Sequence, residues 1–349
     1  MNSQMLYRPA PAHPAGRIVT LRHSSQVLQN NPWQDPTERD VAVYLPHGYD
    51  EQHGPYPVLW DLAAYTSAGP AHINWRNHGE NLPQRLDRLI AEQRMPPCLC
   101  VFPDCYTSLG GNQYVNSSAV GHYADYLVEE LIPFIDSQFA TLREAAGRIA
   151  FGKSSGGYGA LYLASQYPGV WGAIAAHAPD VGFDRVYLPD FPKVCTTLEP
   201  FRDDPRELIR AFWQRKQPKG HEFHAMMTLC LAASYDPDPT HPWGFRLPFT
   251  LDTCELDNAA WQRWLAYDPL QLAHQHRDAL QQLQHLWLDV GNRDQYNIQY
   301  GSRQLSRLLT ELNIAHHFEE FEGTHSGIDW RLDHSLPQIT AHLRAADNP

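Results

Sequence analysis

Phe151-Gly152-Lys153-Ser154-Ser155-Gly156-Gly157-Tyr158-Gly159-Ala160-Leu161 is the stretch whose reading decides the fold. The five residues before Gly152 (Gly147-Arg148-Ile149-Ala150-Phe151) have the apolar character of a short buried strand. Residues 160–167 read as a helix, stopped by Pro168-Gly169. Between them Gly152-x-Ser154-x-Gly156 matches G-x-S-x-G, the pattern of a nucleophile elbow. The glycines have a steric reason: side chains two residues before and two after the serine would strike the neighbouring strand and helix. Glycine in a helix costs about 1 kcal/mol against alanine, so Gly156, Gly157 and Gly159 are tolerated best where backbone must approach something closely. The frame also selects the serine. Ser155 would need glycine at 153, where Lys153 stands, whereas Ser154 has both glycines. The competing reading is a glycine-rich turn at a helix start that binds an anion.

Working outward, strand-like runs occur at 18–23, 39–45, 56–62 and 98–103 before the elbow, and at 172–178, 286–290 and 315–321 after it. Helical patterns occupy 82–92, 123–139 (with a bend expected at Pro133), 299–312 and 335–344. Alternation of strand and helix implies an α/β class: a mostly parallel sheet with helices on both faces. Chemistry in such sheets sits outside the carboxyl ends of the strands. From 180 to 279 the pattern changes to Pro, Trp, Asp and His, with helical pieces at 205–217, 221–233 and 258–265. That length exceeds a simple connection, so an inserted helical cap is expected. The expected organisation is an irregular arm over 1–17, core over 18–179, cap over 180–279 and core again over 280–349.

The chain has 349 residues, 43% of them apolar, enough for a sizeable core. Its net charge of −12 and the lack of a dense Lys/Arg run argue against nucleic acid or an anionic membrane as partner. No uninterrupted apolar stretch approaches about 18 residues, so no membrane span is expected. Residues 1–16 show no apolar signal core, and the six cysteines are scattered, with Cys98 and Cys100 on one face of a strand; buried thiols and a cytoplasmic location are expected. His221 and His224 are three apart, but without an H-E-x-x-H pattern no metal is expected, and no cofactor either. Nothing fixes the oligomeric state; a homodimer is one form considered.

A serine hydroxyl is a weak nucleophile and needs a base, which in turn needs a group to fix its tautomer. Asp294 follows a strand that ends near Val290, and His325 follows the next strand, in Gly323-Thr324-His325-Ser326. Ser154, Asp294 and His325 stand in the order Ser, Asp, His, with room between them for the cap and then for one helix and one strand. Asp289 is the competing acid. Asp329 is expected to pair locally with Arg331, and His177 to be a buried histidine rather than the base. Trp243, Phe245, Trp261 and Trp264 are read either as the lining of an acyl pocket or as packing of the cap.

These stretches, with Tyr56-Pro57-Val58-Leu59-Trp60, Phe102-Pro103-Asp104, residues 126–136, Tyr167-Pro168 and Leu288-Asp289-Val290-Gly291-Asn292-Arg293-Asp294, resemble the Putative esterase family of α/β-hydrolases. Its members include esterase D (S-formylglutathione hydrolase), feruloyl esterases, enterochelin-esterase-like proteins and the mycobacterial mycolyltransferases. The resemblance covers about 40–178 and 285–345. It implies Ser154 as nucleophile, His325 as base and Asp294 as acid, acting on a small-molecule ester or thioester through an acyl-enzyme. It also implies an oxyanion hole from the backbone N–H of Ser155 and of Tyr65. Two departures stand out. Ala63-Ala64 replaces the usual His-Gly or Asp-Gly, and a serine follows the nucleophile. An acyltransferase with the same triad, or a non-catalytic binding protein on the same fold, are the alternative readings; a peptidase is disfavoured because no large substrate-sorting domain accompanies the core.

Overall fold

The computed structural model describes residues 13–217 and 219–345. Most of the arm expected over 1–17 therefore lies outside the described residues, and Arg17 already begins the first strand. The strands are β1 (Arg17–Ser24), β2 (Glu38–Leu45), β3 (Val58–Leu62), β4 (Leu99–Pro103), β5 (Asn116–Ser117), β6 (Gly121–His122), β7 (Arg148–Lys153), β8 (Ala173–His177), β9 (His285–Gly291) and β10 (His317–Phe321). Eight of them form one sheet in the order β1-β2-β4-β3-β7-β8-β9-β10, while β5 and β6 make a separate ribbon. The pairs β1/β2 and β2/β4 are antiparallel and the rest of the large sheet is parallel. Every residue of β3, β4 and β8 is buried, as continuous apolar runs covered on both faces require.

Period-two alternation sends neighbours in a strand to opposite faces. Val58 and Trp60 pack with Ala150, Ile174 and Leu288 on one face. Leu59 packs with Phe151, Ala175 and Trp287 on the other, where helix Leu82–Ala91, opened by an Asn81/Gln84 capping box, contributes Leu86 and Leu89. Cys98 and Cys100 are buried on that second face. The chain goes from β3 to β4 on one side and then to β7 on the other. The order thus reverses beside the carboxyl end of β7, where a crevice opens in sheets of this kind.

The helical run at 123–138 is less regular than the sequence suggested. It comprises Tyr123–Asp125, a π-wound segment Tyr126–Leu131, and Ile132–Gln138. Pro133 cannot donate to the Glu129 carbonyl and its ring would crowd it; the wider π winding just before it relieves both. The expected helix over 335–344 is two, Leu332–Ile339 and Ala341–Ala345. Pro337 leaves the Asp333 carbonyl without an intrahelical donor, and the Arg94 guanidinium supplies one instead. Between β8 and β9 the helices Pro205–Gln214, Gly220–Tyr235 and Asn258–Leu265 are joined by Phe191–Leu198 and Pro269–Gln275, which the periodicity did not reveal. Phe245, Trp261 and Trp264 are buried in this region's own packing.

Asp289, Arg331 and His177 form the most heavily buried polar group of the sheet. His177 Nδ1 meets Asp289 Oδ1 at 2.8 Å and its Nε2 meets Ser335 Oγ at 3.0 Å. Trp287 Nε1 and Arg331 Nε donate to Asp289 Oδ2 at 2.8 and 2.9 Å. Arg331 does not pair with Asp329, as its position in sequence suggested. It turns inward to Asp289 and Glu319, and Asp329 instead takes Arg76 at 2.5 Å. Burial pushes the Asp289 carboxyl up, yet His177, Trp287 and Arg331 outweigh it and hold it below the usual carboxylate range. Removing one member leaves a buried charge without its partner. Arg331→Met is expected to lower unfolding free energy by about 3–5 kcal/mol, read by urea denaturation near neutral pH. The stabilisation from a depressed carboxyl is present above its unfolded pKa and lost as pH falls through the folded one. The gap between variant and wild type should therefore narrow below about pH 4. An unchanged midpoint at neutral pH would show that the network contributes nothing.

Candidate active site

β7 delivers its last residues straight into the helix Ser155–Gln166, with Ser154 at the junction in a strained backbone conformation, φ 56° and ψ −125°. The Ser154 N–H is held by the His177 carbonyl at 2.9 Å, and its carbonyl accepts from the Tyr158 N–H at 2.8 Å. The glycine requirement is steric, as the sequence suggested. A β-carbon at Gly156 would lie 1.8 Å from the Leu62 carbonyl oxygen, and one at Gly152 would lie 2.4 Å from the same atom. Nothing larger than glycine lets the helix start this close to β3.

The loops after β9 and β10 interlock. Asn292 and Arg293 N–H groups donate to the Phe321 and Gly323 carbonyls, and a β-carbon on Gly291 would meet the Gly323 backbone at 2.7 Å. This brings Asp294 and His325 together, with Asp294 Oδ2 2.7 Å from His325 Nδ1. Asp294 Oδ1 accepts from the Tyr296 N–H at 2.9 Å, which fixes the carboxylate. The His325 backbone is tied to Gln295, and its ring meets Tyr296 edge-on at 4.9 Å. With Nδ1 committed to the carboxylate, the neutral ring presents Nε2 as its basic nitrogen. Asp289 is engaged with His177 and Arg331, so the competing acid is accounted for.

Ser154 and His325 line one cavity of about 200 Å³, the order of size that accepts a single aromatic ring. Both are nearly buried, at 8% exposure. Val186, Tyr187, Met227, Leu231, Tyr296 and Ile298 form its apolar wall. Trp243, Phe245, Trp261 and Trp264, the aromatic candidates for this role, are not among its walls. His224 is; it faces Asp190 at 3.4 Å, and among the described residues no group of three His, Cys, Asp or Glu is gathered as a metal would need.

On the β3 side the cavity is bounded by Ala64, Tyr65 and Thr66. Neither Ala63 nor Ala64 adopts a positive φ, so a side chain strains the backbone at neither position. The Tyr65 hydroxyl donates to the Leu109 carbonyl at 2.6 Å and the Tyr114 hydroxyl to that of Ala63 at 2.6 Å, which pins the loop from two sides. The Ser155 N–H opens a helix, where the helix itself offers no acceptor. Lys153 borders this cavity and a second one beyond Ile328; burial pushes its ammonium down, against the pull of Asp329 and Asp294.

One residue escaped the sequence reading. Asp180, three positions past β8 and 1% exposed, accepts from Ser154 Oγ at 3.2 Å. None of the hydrogen bonds among the described residues joins Ser154 to His325. The signal was available, since Asp180 lies just beyond the carboxyl end of the strand next to β7. It is hidden because the change of composition that marks the expected cap falls at that residue.

A family model described as "Putative esterase" matches residues 36–343. The chain is 29% identical over 178 residues to an S-formylglutathione hydrolase of Paracoccus denitrificans, covering 45% of this chain and 55% of the relative. It is 26% identical over 152 residues to an endo-1,4-beta-xylanase/feruloyl esterase of Xylanibacter ruminicola, covering 41% of this chain and 20% of the relative. It thus spans about half or less of these curated relatives. In three dimensions it resembles a ferulic acid esterase with TM-score 0.59 at 15% identity, over 94% of this chain and 98% of that one. It also resembles an S-formylglutathione hydrolase of Agrobacterium tumefaciens with TM-score 0.55 at 18% identity, over 95% of each. The fold is the α/β-hydrolase fold. With the match running from β2 through the last helices, the chain belongs to the Putative esterase family.

Proposed function

We propose that the protein is a serine hydrolase that cleaves a small carboxylic ester or thioester through an acyl-enzyme. The observation that carries this reading is the 2.7 Å bond between Asp294 and His325, on the rim of the cavity that holds Ser154. Ser154 Oγ attacks the substrate carbonyl and its proton passes to His325 Nε2. Asp294 holds the imidazole in the required tautomer and stabilises the imidazolium. The developing oxyanion lies between the N–H groups of Ser155 and Tyr65, each such donor being worth about 3–4 kcal/mol of barrier. Collapse expels the alcohol or thiol, which takes the proton from His325, and water repeats the sequence on the acyl-enzyme. The relatives' names, feruloyl esterase and S-formylglutathione hydrolase, and the single-ring size of the cavity favour a short or aromatic acyl group.

Ser154→Ala is expected to reduce p-nitrophenyl acetate turnover by about 10³-fold or more, with melting temperature retained. Equal rates in the two proteins would end the reading. Asp294→Asn should lower kcat by about 10³–10⁴-fold with little change in KM, because it disturbs the tautomer and charge of His325 rather than substrate contact.

A further inference from the structure

Two non-glycine residues with positive φ end adjacent parallel strands: Ser154 after β7, and Ala178, at φ 41°, after β8. Strain of this kind persists only where the surroundings impose it. At Ala178 the surroundings are visible, since its N–H is drawn to the Asp289 carbonyl at 2.7 Å. The turn sends Pro179-Asp180 back over the elbow. Beyond it the Gly182 and Phe183 N–H groups are pinned by Asp268 at 3.2 and 2.7 Å, so the segment is fixed at both ends.

The Asp180 carboxyl meets three hydroxyls. Oδ2 lies 3.1 Å from Ser155 Oγ and 3.0 Å from the Tyr187 hydroxyl, while Oδ1 lies 3.2 Å from Ser154 Oγ. Ser155 Oγ already accepts from Gln113 Nε2 at 2.9 Å, and Gln113 Oε1 accepts from the Tyr235 hydroxyl at 3.1 Å. The Ser155 proton is therefore directed at Asp180. Oδ2 receives two O–H donors, so any proton carried by this carboxyl sits on Oδ1, against the nucleophile.

Resting on the function proposed above, we propose that Asp180 is a second proton partner of the nucleophile, competing with His325 for the Ser154 hydroxyl. As a carboxylate it accepts the Ser154 proton and keeps it from the imidazole. As a neutral acid it donates from Oδ1 to Oγ, and the Ser154 proton is free to point at His325 Nε2. The reactive form then carries one proton on the pair, with Asp180 neutral and His325 neutral. During attack the Ser154 O–H bond breaks, its proton moves to Nε2, and Asp180 retains its own.

Other ionisable groups near Asp180 come from several elements. Tyr187 touches it, and His325 faces it from the loop after β10. Tyr235 reaches it through Gln113 and through the Tyr187 hydroxyl, and Lys153, Asp190, His224 and Tyr296 share the cavity. Burial raises the Asp180 carboxyl above its ordinary value, against the pull of His325 and the three hydroxyls.

The test is the rate at which a fluorophosphonate labels Ser154 between about pH 5 and pH 10. In that reaction Oγ–P forms, P–F breaks and fluoride leaves, so no knowledge of the ester substrate is needed. Wild type should give a bell, because the reactive form carries one proton on the Asp180–His325 pair: a second proton closes it on the acid side and loss of the remaining one closes it on the alkaline side. Asp180→Asn preserves the pattern of contacts, the amide N–H replacing the acid O–H at Oγ and the amide oxygen accepting from Ser155 and Tyr187. It mimics the neutral form at every pH. Its profile should rise and stay up, with labelling about tenfold faster than wild type near pH 9.5. Tyr187→Phe removes a donor that favours the carboxylate, and should move the descending limb to higher pH. A rate lowered by the same factor at every pH would make Asp180 merely structural, and a descending limb that survives in Asp180→Asn would likewise overturn the proposal. Wild type left unlabelled at Ser154 would defeat the hydrolase reading and this inference together; parallel profiles would defeat only the inference.

Discussion

The Leu62 carbonyl oxygen at the end of β3 is the fixed point against which the site is built. Gly152 and Gly156 both press on it, at distances no β-carbon could share. Because the elbow closes on that atom, Ser154 is forced to a positive φ and its side chain stands off the end of the sheet. The same approach sets the start of the elbow helix, and with it the direction of the Ser155 N–H. The loop that continues from Leu62, carrying Ala64 and Tyr65, is therefore in register with Ser154 by construction. A single close contact between two backbones thus positions Ser154 and both N–H groups proposed to stabilise the oxyanion, before any side chain is considered.

Serine, histidine and aspartate also meet elsewhere in the molecule, and the contrast with Ser154, His325 and Asp294 is instructive. Ser335, His177 and Asp289 are linked at 3.0 and 2.8 Å, yet Ser335 and Asp289 are fully buried, at 0% exposure. Ser335 lies in the helix Leu332–Ile339, with none of the strain that lifts Ser154 clear. Arg331 neutralises Asp289. Hydrogen bonds alone would favour this buried set, since none among the described residues joins Ser154 to His325. Access, backbone strain and the neighbouring donors favour Ser154, and all three follow from the turn at which it sits.

Much of this was legible in the sequence because it depended on local pattern. Continuous apolar runs marked the buried parallel strands, and glycine spacing marked the elbow. Asp294 and His325 each followed a strand directly, which is where an α/β sheet keeps its polar side chains. What stayed hidden depended on contacts between distant segments. Arg331 reads as a surface residue beside Asp329 until the chain folds it against Asp289 and Glu319. The π winding before Pro133 and the carbonyl of Asp333 that Pro337 leaves free depend on neighbours, Arg94 among them, and at the break between the last two helices the Thr340 hydroxyl donates to the Leu336 carbonyl at 2.7 Å. Phe191–Leu198 and Pro269–Gln275 were missed although each has proline in its first turn, and Asp268 caps the second. The start signals were there, but short helices carry too little periodicity to be seen without them.

Asp180 shows why boundaries drawn from composition mislead at such sites. The change of pattern after β8 was real, yet the residue at the change belongs to the chemistry of the preceding strand. Ala178 explains the discrepancy: its positive φ reverses the chain within three residues, so the segment that appears to leave the sheet first folds back across its rim. A carboxyl carried by that reversal has no exit to solvent, and the hydroxyls of Ser154, Ser155 and Tyr187 are what it meets. The strain at Ala178 and that at Ser154 are thus two halves of one arrangement, in which each strand end is turned so that the Asp180 carboxyl and the Ser154 hydroxyl face one another. An apolar residue at 180 would leave three buried hydroxyls without that acceptor, so the acid, the turn that aims it and the donors around it are constrained together.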